Sequence, residues 1–319
     1  MARNWKRIVV AIGDPERRGS WALRKGAEIA TRCGARLQIF HAYSPTPGLY
    51  STFDPKTAES IAHETLARQR KELERLARPL RRRGIDVHTE VVWDYPPHAA
   101  LVRYAVKQRA DLLVAESHRH SRLARWFLTN ADWELIRQCP CPLWFAKSPR
   151  LRPKVQVLAA VDPFHFGSKL ARLDDRILVA ARQVAKMFGG KLAVCHAQVL
   201  PAPYVGDVLG RLPAPAPLLP DQLRRHSAIV RKATNQLARR FGVPTAARFV
   251  ESGDPVVVLP RMTRRLRSDV LVMGAVSRSG LDHLFIGSTA ERVIDDVTCD
   301  VLIVKPASFR AHARSRRRR

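Results

Sequence analysis

Two tandem α/β domains, each a doubly wound sheet of five parallel strands, are the fold that this sequence predicts. Three observations carry the expectation. Residues 94–147 lie on residues 252–305 without a gap at a constant offset of 158, so that Asp111-Leu112-Leu113-Val114 falls on Asp269-Val270-Leu271-Val272, and Ile136, Cys141 and Lys147 fall on Ile294, Cys299 and Lys305. A unit of about 150 residues is the usual size of one autonomous domain, whereas a solenoid needs several short stacked repeats. Short apolar runs also alternate with helix-period segments, the βαβα pattern of a parallel sheet covered on both faces. The units fall at residues 1–150 and 151–307, and residues 308–319 remain as a basic tail.

In the first unit, residues 6–12 are a short apolar strand, 21–33 a helix closed by Gly34, and 36–43 a strand centred on Leu37-Gln38-Ile39-Phe40. Residues 44–56 are rich in Pro and Gly and read as a loop. Residues 58–83 place Ile61, Leu66, Leu73, Leu76 and Leu80 near helical spacing, with Gly84 as the stop and Pro79 set to kink the last turn. Strands at 85–93, 111–115 and 143–146 then enclose helices at 97–109 and 130–138. The second unit repeats the order, with strands at 155–161, 191–197, 243–250, 269–274 and 301–304 and helices at 170–188, 221–241, 255–266 and 288–296. Its one elaboration is a Pro/Ala-rich loop at 199–220 carrying Tyr204 and Leu209. Loops of this length are often lids or partner-contact elements. A short linker at 148–153 joins the units.

Composition narrows the function classes. Hydrophobic residues make up 46% of the 319, too many for a disordered chain. No apolar run approaches the roughly 18–20 residues that cross a bilayer. Ile8-Val9-Val10-Ala11-Ile12 is too short for a signal-peptide core, which leaves the cytoplasm as the expected location. The five cysteines form no Cys-x-x-Cys pair, so no zinc ribbon or thioredoxin-like motif is expected; Cys139-Pro140-Cys141 reads as reduced thiols beside a strand. The net charge is +28, and six arginines lie within residues 310–319. The body charge reads first as solvated helix faces, with attraction for nucleic acid or an anionic surface as the competing reading, and the tail reads as a disordered contact arm.

One segment carries ligand chemistry. A strand ends at Gly274, a loop follows with Ser277, Gly280 and Gly287, and Ser288-Thr289 opens a helix. Glycine lets backbone approach a ligand closely, a helix N-terminus offers free N–H groups to an anion, and two hydroxyls add donors, which together suit a phosphate chain. Ser288-Thr289-Ala290-Glu291 is equally a capping box, which starts a helix with no ligand present. Both readings stand on the local residues.

This segment resembles the nucleotide signature of the universal stress protein A family: Gly, two residues, Gly, nine residues, Gly, then Ser or Thr. Gly274, Gly287 and Ser288 match in register, and Ser277 stands where the second Gly belongs, adding a side chain where backbone would hug phosphate. Asp162, in Ala159-Ala160-Val161-Asp162, occupies the place of the family's adenosine-binding Asp at the end of the first strand. Asn130-Ala131-Asp132-Trp133, Cys139-Pro140-Cys141-Pro142 and Gly287-Ser288-Thr289-Ala290-Glu291 extend the resemblance to the tandem-domain form. The resemblance implies a Rossmann-like sandwich, a cytoplasmic stress-response role linked to DNA-damaging stress, and weak binding of ATP or another adenine nucleotide through Asp162, Gly274, Ser277, Gly280, Gly287, Ser288 and Thr289. It also implies that the closing strands 143–146 and 301–304 face each other within one chain as a pseudo-dimer, with a homodimer of whole chains left open.

In the first unit Glu116 aligns with Gly274, Thr129 and Asn130 align with Gly287 and Ser288, and Gly13 aligns with Asp162. A carboxylate there repels phosphate, so that copy is expected to be degenerate. His118-Arg119-His120 lacks a third ligand and is flanked by Arg119 and Arg122, so no metal is expected. No Gly-x-Ser-x-Gly elbow, Rossmann Gly-x-Gly-x-x-Gly or P-loop occurs, and no catalytic residues are assigned. The sequence therefore reads as a non-enzymatic ligand-binding stress protein, with a slow ATPase or a nucleic-acid or anionic-surface binder as alternatives.

Overall fold

The computed structural model describes residues 5–17, 19–44, 54–116, 125–164, 172–199, 220–274 and 288–306, without the side chains of 55, 125–131, 220, 222 and 288. The 199–220 loop, His118-Arg119-His120 and the 308–319 tail fall largely or wholly outside the described residues. The first domain runs β1 (Arg7–Ala11), α1 (Trp21–Cys33), β2 (Arg36–Tyr43), α2 (Pro55–Arg82), β3 (Val87–Trp93), α3 (Pro97–Lys107), β4 (Leu112–Glu116), α4 (Arg125–Gln138) and β5 (Leu143–Ala146). The second runs β6 (Gln156–Ala160), α5 (Leu173–Met187), β7 (Lys191–Gln198), α6 (Pro220–Arg240), β8 (Arg248–Ser252), α7 (Pro255–Arg265), β9 (Val270–Gly274), α8 (Ser288–Asp296) and β10 (Asp300–Val304).

The strands form one sheet in the order β3-β2-β1-β4-β5-β10-β9-β6-β7-β8. Each half is parallel throughout and doubly wound. The two closing strands pair antiparallel, Leu143 opposite Ile303, Trp144 opposite Leu302 and Phe145 opposite Val301. Alternation along each strand divides the core between the two faces. Ile8, Val10, Trp144 and Leu302 lie in one cluster, and Val9, Leu143, Phe145, Val301 and Ile303 in the other, so both layers run across the seam between domains.

Local chemistry accounts for where elements begin and end. Ser20 caps α1, accepting from the Leu23 N–H at 3.2 Å, and Gly34 ends the helix in the left-handed region. α2 starts at Pro55 rather than residue 58, because Asp54 accepts from the Lys56 and Thr57 N–H groups ahead of the first apolar position. β8 starts at Arg248 rather than 243. The left-handed Gly242 ends α6, the Val243 N–H turns back to the Ala238 carbonyl, and Pro244, which has no N–H to give a ladder, leads a short 3₁₀ turn at Thr245–Ala247. The duplicated Asp111 and Asp269 have the same task. Each accepts from the backbone at the start of the neighbouring first strand: Lys6 and Arg7 at 3.0 Å, and Gln156 at 2.7 Å.

The seam is held by a buried ion pair. Asp300, at the start of β10, has no exposed side-chain surface and lies 3.0 Å from Nζ of Lys25 in α1, which is equally buried. The same carboxylate accepts from Trp144 Nε1 at 2.9 Å, the Lys147 and Ser148 N–H groups at 3.0 Å, and the Ser148 hydroxyl at 2.9 Å. Every one of these donors belongs to the first domain or its exit. Lys147 in turn donates through Nζ to the carbonyls of Ile294 and Val297 at the end of α8, where the helix dipole favours a cation.

Removing one partner of such a pair strands a buried charge, at a cost of about 3–5 kcal/mol. Asp300→Asn is therefore expected to lower the urea midpoint strongly, and Lys25→Met combined with Asp300→Leu to lower it less than the single change does. A single variant within about 0.5 kcal/mol of the parent, the scatter of a neutral surface change, contradicts this account. A second expectation concerns Lys305, which follows β10 and is buried beside the Cys139 and Cys141 thiols, themselves 3.6 Å apart. Burial lowers its pKa to about 8, below the ordinary value of roughly 10.4. Between those values the unfolded chain holds more protons, so this lysine's contribution to stability improves as pH rises through that window. The stability of the parent relative to Lys305→Met should shift in the parent's favour between pH 7 and pH 10; a gap that does not change with pH, measured by denaturant titration, counts against it.

Candidate functional site at the strand ends of the second domain

In an open α/β sheet, ligands bind beyond the carboxyl ends of the strands where the winding reverses. In the second domain that point lies between β6, which continues outward to β7, and β9, which leads back to the seam. Ala159 is opposite Val272 in the β6–β9 ladder, so Asp162 and Gly274 emerge side by side at this crevice. The Asp162 side chain is 22% exposed. Its Oδ1 accepts from the Phe164 N–H at 3.3 Å, and its own N–H donates to Asp174 in the first turn of α5 at 3.0 Å.

Gly274 has a second reason to be glycine. A Cβ at this position would stand 2.8 Å from Cδ2 and 3.3 Å from Cγ of Leu173, so α5 packs directly onto the strand end. Ser288 opens α8 as expected, and Thr289 in its first turn is exposed. Glu291 reaches across the seam to Arg137 of α4 at 3.5 Å. Ser277, Gly280 and Gly287 lie outside the described residues. Of the seven residues singled out from sequence, the structure brings Asp162 and Gly274 together and places Ser288 and Thr289 at a helix start.

Sequence reasoning missed His196. Its Nδ1 lies 3.0 Å from the Val161 carbonyl and 3.9 Å from Asp162 Oδ1, and its ring contacts Phe164. The first domain has the same device: His41 Nδ1 lies 2.8 Å from the Ile12 carbonyl, and burial lowers the His41 pKa. The signal was present as the His-Ala dipeptides His41-Ala42 and His196-Ala197, near the ends of equivalent strands.

The corresponding crevice of the first domain is occupied by its own side chain. Glu116 ends β4 beside β1, and its carboxylate accepts from the Trp21 N–H at 2.5 Å and the Ser20 hydroxyl at 3.5 Å. It thus sits on the N-terminus of α1, the position a bound anion would take. The cavity left between Ile12, Gly13, Asp14, Arg17, Ser20 and Glu116 is about 120 Å³, well below the roughly 300 Å³ at which small-molecule pockets begin. Among the described residues no group of three or more His, Cys, Asp or Glu side chains gathers as a metal site, and no helix is long and apolar enough to cross a membrane.

The model of the universal stress protein family matches the chain twice, over residues 4–147 and 157–305. The chain belongs to the universal stress protein family. It is similar along its length to universal stress protein E of Photorhabdus laumondii, 26% identical over 307 residues that cover 96% of each chain. Universal stress protein E of Escherichia coli K12 is 26% identical over 317 residues, covering 96% of this chain and 95% of its own. Among solved structures, a protein from Pseudomonas aeruginosa PAO1 superimposes with a TM-score of 0.72 at 25% identity, covering 95% of this chain and 93% of that one. The chain is thus a tandem-domain universal stress protein.

The Glu116 cap gives a direct expectation. A charged hydrogen bond to a helix N-terminus contributes about 1–2 kcal/mol. Glu116→Ala should lower thermal stability by that amount, seen as a fall in melting temperature. An unchanged melting temperature would show that the carboxylate contributes nothing to the fold.

Proposed function

We propose that this universal stress protein is a cytoplasmic, non-enzymatic stress-response protein that binds an adenine nucleotide weakly, in its second domain alone. The observation that carries the reading is the exchange between equivalent strand ends. A carboxylate fills the anion position in the first domain, through Glu116, and glycine stands at that strand position in the second, with Asp162 beside it. Asp162 would accept a hydrogen bond from the adenosine, and Gly274, Gly280, Gly287, Ser288 and Thr289 would line the phosphates. Ser277 adds bulk where backbone should approach phosphate, which lowers the expected affinity. A part in resistance to DNA-damaging stress rests on the family resemblance.

Titration calorimetry with ATP tests the proposal. One site per chain is expected, abolished by Gly287→Asp and weakened by Asp162→Ala, with no phosphate release above the buffer rate. Two equal sites, binding indifferent to both changes, or no binding would overturn it. The last result would leave Ser288-Thr289-Ala290-Glu291 as a helix cap only.

A further inference from the structure

The second helix of each domain packs over the outermost strands, α2 against β2 and β3, α6 against β7 and β8. The two helices treat their charge differently. α2 carries Glu59, Glu64, Glu72 and Glu74 among its cations. Three of its six arginines are paired: Arg75 with Glu72 at 2.6 Å, Arg81 with Glu74 at 2.5 Å, and Arg68 with Glu16 at 3.4 Å. α6 has one acidic residue, Asp221, against Arg224, Arg225, Arg231, Lys232, Arg239 and Arg240. Arg240 leans to the other side and pairs with Asp175 of α5.

Along the outer side of α6 runs an open groove of about 660 Å³ lined by Arg224, Arg231, Lys232 and Arg239, together with Arg248 at the start of the edge strand β8. Among the described residues no carboxylate lines it. Among the described residues, none of these five cations makes an ion pair; Arg248 is fixed instead through two hydrogen bonds to the Val243 carbonyl, at 2.9 and 2.7 Å. Like charges gathered without counter-charge repel one another and attract a polyanion.

We propose that this groove binds the phosphodiester backbone of a single-stranded nucleic acid. Two features select that occupant. The cations extend from Arg224 to Arg239, a span of roughly 22 Å at the helical rise, so several linked phosphates are needed to engage them and one small anion is not enough. They lie in one band on a single helix face, which a flexible single strand can follow phosphate by phosphate. Among the described residues the groove lining contains Ser227, Asn235 and Gln236 but no aromatic ring. Binding is therefore through backbone, without stacking and without base preference. The inference is independent of the nucleotide proposal, which concerns the β6–β9 crevice.

The test uses the full chain and a fluorescently labelled single-stranded oligonucleotide, followed by anisotropy over a salt series. A groove variant replaces Arg224, Arg231, Lys232 and Arg239 by Gln; these four are exposed, and the fold should be kept. A charge-matched control replaces Arg70, Lys71, Arg78 and Arg82 of α2, also exposed, by Gln. Both variants keep the basic tail, so its contribution cancels. The groove variant should lose at least tenfold in affinity at low salt, and its salt slope should fall by about 3, the release expected for four single-strand phosphate contacts. Oligo-A and oligo-U should bind alike, and the control should stay close to the parent. Equal losses in the two variants would show that only diffuse charge matters, and would overturn the proposal. So would absence of binding, tighter binding to duplex of the same length, or a groove-dependent preference for anionic vesicles over the oligonucleotide.

Discussion

The buried pair of Asp300 and Lys25 is the contact on which the two-domain arrangement depends. Only three residues of β5 face β10 in the ladder, a short seam for a ten-stranded sheet. A one-residue slip would turn Trp144 and Leu302 to the wrong face and split both core layers. Hydrophobic packing alone tolerates small sliding, but the Asp300 carboxylate does not. Its two oxygens must meet an ammonium, an indole N–H, two backbone N–H groups and a hydroxyl at once. The charge would be costly in an apolar site and is acceptable only with that full set of donors. The pair therefore acts as a register pin between domains.

Antiparallel pairing of β5 and β10 also disposes of two strand edges that each domain would otherwise expose. An open edge is a template for pairing with other chains. With both closing strands in one polypeptide, the partner is always present, and the joined sheet ends only at β3 and β8. Lys147 ties the same seam to α8, so the helix that opens at Ser288 is anchored at its far end by the first domain. The start of that helix is where phosphate binding is proposed, and the contact fixes the body behind it.

Much of this architecture was legible in the sequence because duplication repeats the signals. The strands are continuous apolar runs, and the left-handed Gly34, Gly84, Gly189 and Gly242 end helices at matching places in the two copies. Other features had no local signal. Arg109 and Arg267 both adopt positive φ directly after the C-caps of equivalent helices, a task usually given to glycine. Lys25 looks like any surface lysine until the fold buries it under Asp300, a residue 275 positions further along the chain. The start of β8 was misplaced because Val243 continues an apolar run while its N–H is already committed to the end of α6. At the site, spacing located Asp162 and Gly274 at neighbouring strand ends, but it did not show that Leu173 packs closely against the glycine.

A duplicated chain supplies its own internal control. What both copies keep belongs to the fold, since the first domain keeps it without an open crevice. On that criterion His41 and His196 are scaffold: each sits beside the carbonyl of the residue after its domain's first strand, whether or not a ligand crevice follows. Asp111 and Asp269, which steady the starts of β1 and β6, fall in the same class. What only one copy shows needs another cause. Asp300 aligns with Pro142 at the offset of 158, and its cause is the seam. Glu116 caps α1 and Gly274 packs against Leu173, so each has a local structural part, and the exchange between them also decides whether the crevice stays open; α6 differs from α2 in having one carboxylate where α2 has four. Neutralising α6 with glutamates, as in α2, would relieve repulsion at no cost to the core, because the groove side chains are exposed. The exposed cations of α6 are thus available to the external counter-charge proposed for the groove.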